Sequence, residues 1–95
     1  MINKFVLVRT NNAGVHCGYL TEIGNGVVIL REPRRVWRWR GANTLYELSM
    51  HGADLEWTRI SEPAIQVILL DAIEVIEVHK DAIDNLTNSR WGSDN

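Results

Sequence analysis

The triplet Gly24-Asn25-Gly26 constrains this chain more than any other feature. Glycine and asparagine tolerate the positive φ angles of a tight hairpin turn. On either side, residues 15–22 and 27–31 have the apolar and β-branched character of strands, with Val15, Cys17 and Tyr19 on one face of the first. An isolated hairpin is marginal in water and needs further strands or a helix to cover it. Residues 4–10 (KFVLVRT) supply one such strand, closed by the turn cluster Asn11-Asn12-Ala13-Gly14.

Beyond the hairpin, Pro33 interrupts the third strand and predicts a bulge or an edge. The chain then reads as extended through residues 35–39. Period-two alternation places Arg35, Trp37 and Trp39 on one face and Val36, Arg38 and Arg40 on the other. Gly41 ends the strand. Thr44 and Glu47 have capping-box spacing, so a short helix is predicted over 44–51, with Leu45 and Leu48 on the sheet and Gly52 as the stop. Residues 54–60 alternate again, Leu55, Trp57 and Arg59 against Glu56, Thr58 and Ile60, and predict a strand.

Residues 64–78 satisfy two patterns. Ile65, Ile68, Leu69, Ala72, Ile73 and Ile76 match helical spacing, but Val67, Ile68, Ile73, Val75, Ile76 and Val78 are β-branched. We read a long strand bent near Asp71-Ala72. Residues 80–87 predict a second helix, and 88–95 form a tail that is polar apart from Trp91. The expected fold is α+β, a mainly antiparallel β-sheet with one or two short helices packed on it. With 95 residues the chain makes one ligand-binding domain over 1–95. A core this small is marginal alone, so self-association is expected.

The net charge of −2 hides a segregation of charge. Residues 31–40 (REPRRVWRWR) carry five arginines and one acid, a local net of +4. Residues 47–84 carry nine acids against Arg59 and Lys80, a local net of −7. The total disfavours coating a long polyanion, while the local basic stretch fits a compact anion or a neighbouring acidic copy. Eight of the ten basic residues are arginine, the residue for forked phosphate contacts and for stacking on flat rings. Arg34, Arg35, Arg38 and Arg40 with Trp37 and Trp39 provide both chemistries within seven residues. Asn43 follows, just before the helix, whose free amides could hold a phosphate. Arg90 and Trp91 repeat the pairing in the tail.

Other chemistries find little support. His16, His51 and His79 have no metal-ligand spacing. Cys17 is alone, which excludes an internal disulfide, fits a reducing compartment and reads as a buried thiol. Asp71, Glu74 and Glu77 read as a solvated or subunit-facing edge. Gly24-Asn25-Gly26 lacks the Lys-Ser/Thr of a phosphate loop. The expectation is a binder, not an enzyme, with no metal and no cofactor. The apolar run in MINKFVLVRT is too short for a signal peptide, and no segment approaches the ~20 apolar residues of a membrane span, so a cytoplasmic protein is expected.

Three blocks carry a family resemblance. Val8-Arg9-Thr10, Ala13-Gly14-Val15 and Gly18-Tyr19-Leu20 form the opening. Arg34-Arg35-Val36-Trp37-Arg38-Trp39, then Gly41-Ala42 and a helix with Leu45 and Leu48, form the centre. Leu69-Leu70-Asp71-Ala72-Ile73-Glu74-Val75-Ile76 closes. Together they resemble the phage Thoeris anti-defence proteins of the first type. The resemblance implies a non-catalytic sponge in the host bacterial cytosol. Such a protein binds cyclic ADP-ribose isomers made by TIR enzymes, in some members also cyclic di- or trinucleotides, and so blocks the immune effector. It also implies homodimers, in some cases hexamers, with ligand recesses between subunits. Arg38 and Asn43 stand where that family more often has an aromatic or small polar residue and a small residue, a departure that bears on ligand preference. The rival expectations are a nucleic-acid-binding accessory module and a structural phage protein.

Overall fold

A computed structural model describes residues 1–88 and contains six strands and two helices there. The strands are β1 (Phe5–Thr10), β2 (Val15–Gly24), β3 (Val27–Arg38), β4 (Arg59–Ile60), β5 (Gln66–Leu69) and β6 (Ala72–Glu77). Helix α1 (Leu45–His51) follows β3, and α2 (Lys80–Thr87) follows β6. The strand order is β4-β3-β2-β1-β6, with β5 also paired to β3, and every pairing is antiparallel. The α+β architecture read from the sequence is therefore the one found.

The sheet cannot be flat. β5 lies on the outer side of β3 and β6 on the outer side of β1, four strand spacings apart, or roughly 19 Å. The chain from Leu69 to Ala72 spans at most about 11 Å. The sheet therefore curls until its two sides approach. The Ala72 amide donates to the Gly26 carbonyl at 3.0 Å, which brings the hairpin tip to the start of β6.

Pro33 marks the bend. The β2–β3 register shifts between Cys17 and Tyr19, and Glu32 sits at φ +53°. A β-carbon at Gly18 would lie 3.1 Å from the Arg31 carbonyl oxygen and from Pro33 Cα, so the two strands approach too closely there for a side chain. The extra residue inverts the facing of β3. Val28 and Leu30 join one core, inside the curl, with Val6, Val8, Leu20 and Leu69. Val36, although also even-numbered, joins the other core with Phe5, Leu7, Cys17, Leu45, Leu48, Ala82 and Leu86, beneath the helices.

Both helices start where expected. In α1 the Glu47 carboxylate accepts from the Thr44 amide at 2.7 Å, Leu45 and Leu48 are buried, and Gly52 forms the C-cap. In α2 the His79 side chain accepts from the Asp81 amide.

Three expectations need correction. Of residues 54–60 only Arg59–Ile60 forms strand. Asp54 turns the chain instead, its carboxylate accepting from the Glu56 amide at 3.0 Å and its carbonyl from the Thr58 amide at 3.0 Å. Residues 64–78 are not one bent strand but two strands on opposite sides of the sheet. Asp71 anchors the link between them, accepting from the Asn12 amide at 2.8 Å. Finally, Trp37 and Trp39 do not share a face. The β3–β4 register shifts between Val36 and Arg38, so Trp37 is exposed while Trp39 packs against the helix-covered core.

Candidate functional site

The five arginines of residues 31–40 separate into distinct settings. Arg31 lies at the bend, paired with Glu32 at 3.2 Å and stacked over Tyr19 at 4.5 Å. Arg34 and Arg35 line a recess of about 180 Å³ with His16, Pro33, Ser61, Ala64, Gln66 and Val67. The loop from β4 to β5 forms its far wall. Ser61 fastens that loop by donating its amide to the Arg35 carbonyl at 2.9 Å and accepting the Arg35 amide on its hydroxyl at 2.7 Å. Arg34 donates to the Ser61 carbonyl at 3.3 Å. Among the described residues neither Arg34 nor Arg35 has a carboxylate within ion-pair distance.

His16 is buried beside this recess. Its Nε2 lies 2.9 Å from the Ala13 carbonyl oxygen, which can only accept, so Nε2 carries the hydrogen. Burial, and then the Arg35 charge, hold its pKa below the ordinary imidazole value. The ring is therefore neutral near pH 7, and the positive charge acting on it is that of Arg35.

Arg38 and Arg40 belong to a second group, built on the 54–58 turn. The Arg38 guanidinium lies 4.3 Å from the Trp57 ring centroid and 5.6 Å from that of Trp37, and its Nε donates to the Trp57 carbonyl at 2.9 Å. Arg40 lies 5.5 Å from the same Trp57 ring and pairs with Asp54 at 3.1 Å. Backbone bonds clamp the turn to the end of β3: Asp54 donates to the Arg40 carbonyl at 2.7 Å, and Arg40 donates to the Thr58 hydroxyl at 3.2 Å. Asn85 of α2 holds the turn from behind, accepting from the Ala53 amide at 2.8 Å and donating to its carbonyl at 2.9 Å. Trp57 and Asp54, which complete this group, were missed as site residues because 54–60 read as a strand.

The remaining expected residues are not drawn into either group. Trp39 belongs to the core. Asn43 is exposed ahead of α1. An anion on the α1 amides is disfavoured, because the Glu47 carboxylate already occupies that end; its pKa is lowered by the bonds from the Thr44 hydroxyl and backbone amide. Arg90 and Trp91 lie outside the described residues. Cys17 is buried, as expected for a structural thiol, and burial pushes its pKa up to about 12, so it supplies no thiolate at neutral pH. No cluster of His, Cys, Asp or Glu able to hold a metal occurs among the described residues. A second depression, of about 240 Å³, lies between Arg9, Glu74 and the start of α1, where Arg9 pairs with Glu74 at 3.3 Å. Its two charges satisfy each other.

A family model described as a domain of unknown function (DUF6948) matches residues 3–86. The chain belongs to that family. No curated protein and no solved structure matches it. The matched span of the DUF6948 family contains all six strands, α1 and α2 as far as Leu86, and every residue of the recess and of the Trp57 group. No described helix is long and apolar enough to cross a membrane.

Proposed function

We propose that this protein is a non-catalytic binder that sequesters a compact anionic nucleotide. On the resemblance above, the ligand is a cyclic nucleotide immune signal of the cyclic ADP-ribose type, held in the host cytosol during phage infection. The observation that carries this reading is the recess lined by Arg34 and Arg35, neither of which has a carboxylate within ion-pair distance among the described residues. An arginine with no carboxylate partner leaves a positive field that favours an anion beside it. Arginine forks match phosphate oxygens geometrically, and such charge-assisted bonds are the stronger kind. Farther along β3, Trp37 offers a half-exposed ring that can wall a base, with Arg38 beside it.

Sequestration needs no bond making, and the buried, protonated Cys17 thiol agrees with that. A recess of about 180 Å³ is smaller than the ~300–1,000 Å³ of sites that enclose whole ligands, so it takes a phosphate-sized part of one. A second subunit would supply the remaining walls. Binding to long nucleic acid is disfavoured by the excess of acids over residues 47–84.

Isothermal titration with cyclic ADP-ribose isomers and with cyclic di- and trinucleotides tests the proposal. Saturable binding is expected, with unmodified ligand recovered after the complex is heated. Absence of binding to all of them overturns it, and recovery of a hydrolysed product replaces sequestration with catalysis.

A further inference from the structure

His16 lines the recess from β2 and is only 4 % exposed. Its Nε2–H is committed to the Ala13 carbonyl, which leaves Nδ1 with the lone pair. Nδ1 has no hydrogen-bond partner among the described residues, yet no fully buried side-chain nitrogen or oxygen there goes unpartnered. Nδ1 therefore keeps a solvent-accessible edge, and the recess is the cavity that His16 lines. Burying a polar ring with its second nitrogen bare costs free energy unless a ligand or a water meets that atom.

The groups around the ring set what can meet it. β1 presents apolar Val8 as the register partner on one side, and β3 presents Arg35 on the other. Arg34 lines the same recess, and the β4–β5 loop contributes the uncharged Ser61 and Ala64. The β5–β6 link contributes the Asp71 carboxylate, which the Asn12 amide already engages. Arg35 disfavours the imidazolium and Asp71 favours it. An anion seated beside Arg35 offsets the first influence and adds to the second.

We infer that His16 is a third anion contact of the recess, taking a proton from solvent onto Nδ1 as the anion enters and donating that Nδ1–H to it. If the recess receives an anion, as proposed above, its affinity is then set by pH. The neutral imidazole turns a lone pair toward the lone pairs of the anion, whereas the imidazolium turns a charged donor toward them. Binding therefore tightens as pH falls.

Inorganic sulfate, which stays a dianion through this range, is the probe. At constant ionic strength its dissociation constant for the full chain should fall on the order of tenfold between about pH 7.5 and about pH 5.5, the effect of a His16 pKa raised by about one unit on binding. Nitrogen NMR at about pH 6.5 should show the His16 Nδ1 resonance moving to the imidazolium position as sulfate saturates. His51 and His79, at helix ends, should not move. His16→Gln should bind sulfate without the pH dependence. Circular dichroism melts at both pH values establish that this variant folds; if it does not, the Nδ1 resonance of the wild-type chain decides. A dissociation constant independent of pH, a pH dependence that survives in His16→Gln, or an Nδ1 resonance unmoved at saturation overturns the role of His16 and leaves the recess standing as an anion site. Absence of sulfate binding at both pH values also overturns it, while sequestration of a nucleotide is judged by its own titration.

Discussion

Arg34 and Arg35 sit within six residues of Arg38 and Arg40, yet the two pairs live in different electrostatic settings. Arg38 and Arg40 are held by Trp57 and, for Arg40, by Asp54. Arg34 and Arg35 meet a carbonyl and a neutral histidine, and no carboxylate among the described residues. The first pair fastens a turn to the end of β3. The second lines a recess and has no carboxylate partner among the described residues. Composition cannot distinguish them, because what separates them is where the opposing loop bends: Asp54 and Trp57 are brought to the end of β3, while Ser61 and Ala64 arrive opposite Arg34 and Arg35.

The largest effect that would break this contrast comes from the recess. The double substitution Arg34→Ala/Arg35→Ala is expected to weaken cyclic ADP-ribose binding by on the order of 100-fold, with little change in Tm, since two charge-assisted contacts are lost. Arg38→Ala/Arg40→Ala should show the opposite balance, a lower Tm with a smaller loss of affinity. Calorimetry and thermal melts on both double variants decide the matter, and equal affinity losses would erase the distinction.

Next in size is Gly52→Ala. Gly52 has φ +76°, and a β-carbon there would lie 2.3 Å from Asn85, the side chain that clamps Ala53. Backbone strain and displacement of Asn85 together are expected to cost about 2–4 kcal/mol in chemical denaturation. The Trp57 turn should loosen, seen as a change in Trp57 fluorescence, while the recess remains.

The pH dependence sharpens the contrast further. The His16 pKa is lowered by burial and by Arg35. Below about pH 6.5 the unfolded chain therefore takes up a proton that the folded chain resists. The stability associated with His16 is complete above that pH and declines as pH falls below it, by at most about 1.4 kcal/mol per pH unit. His16→Gln should flatten the decline in Tm between pH 6.5 and lower values. An anion bound beside Arg35 should raise the His16 pKa, whereas one bound only at Trp57 should leave it unchanged. The smallest effect belongs to Asp54→Asn. Its ion pair with Arg40 is partly exposed on both sides, so the loss should stay below about 1 kcal/mol in denaturation.

Much of the fold was legible because its signals are local. Gly24-Asn25-Gly26, the Thr44–Glu47 box and the helix over 80–87 need only their neighbours to declare themselves. The failures have a common physical cause, pairing between residues distant in sequence. Residues 64–78 alternate on both sides of Asp71, but only the curl of the sheet decides that β5 joins β3 and β6 joins β1. The facing of Trp37 and Trp39 depended on a register shift against β4, which no period-two count contains. Pro33 announced the bulge, though not its consequence that Val36 enters a different core from Leu30. For the candidate site, the sequence named Arg34, Arg35, Trp37 and Arg38, which lie on β3, and Arg40, which lies just beyond its end. It did not reveal Trp57, Ser61 and Gln66, which reach the site from a loop and from β5 across the sheet.

The central claim is that the Arg34–Arg35 recess, and not the Trp57 group, receives the anion. It is tested most directly by following the arginine side-chain Nε–H resonances while a cyclic ADP-ribose isomer is added. The account predicts saturable shifts at Arg34 and Arg35, with the Arg40 resonance held in place by Asp54. Saturable shifts confined to Arg38 and Arg40, with Arg34 and Arg35 unmoved, would contradict it.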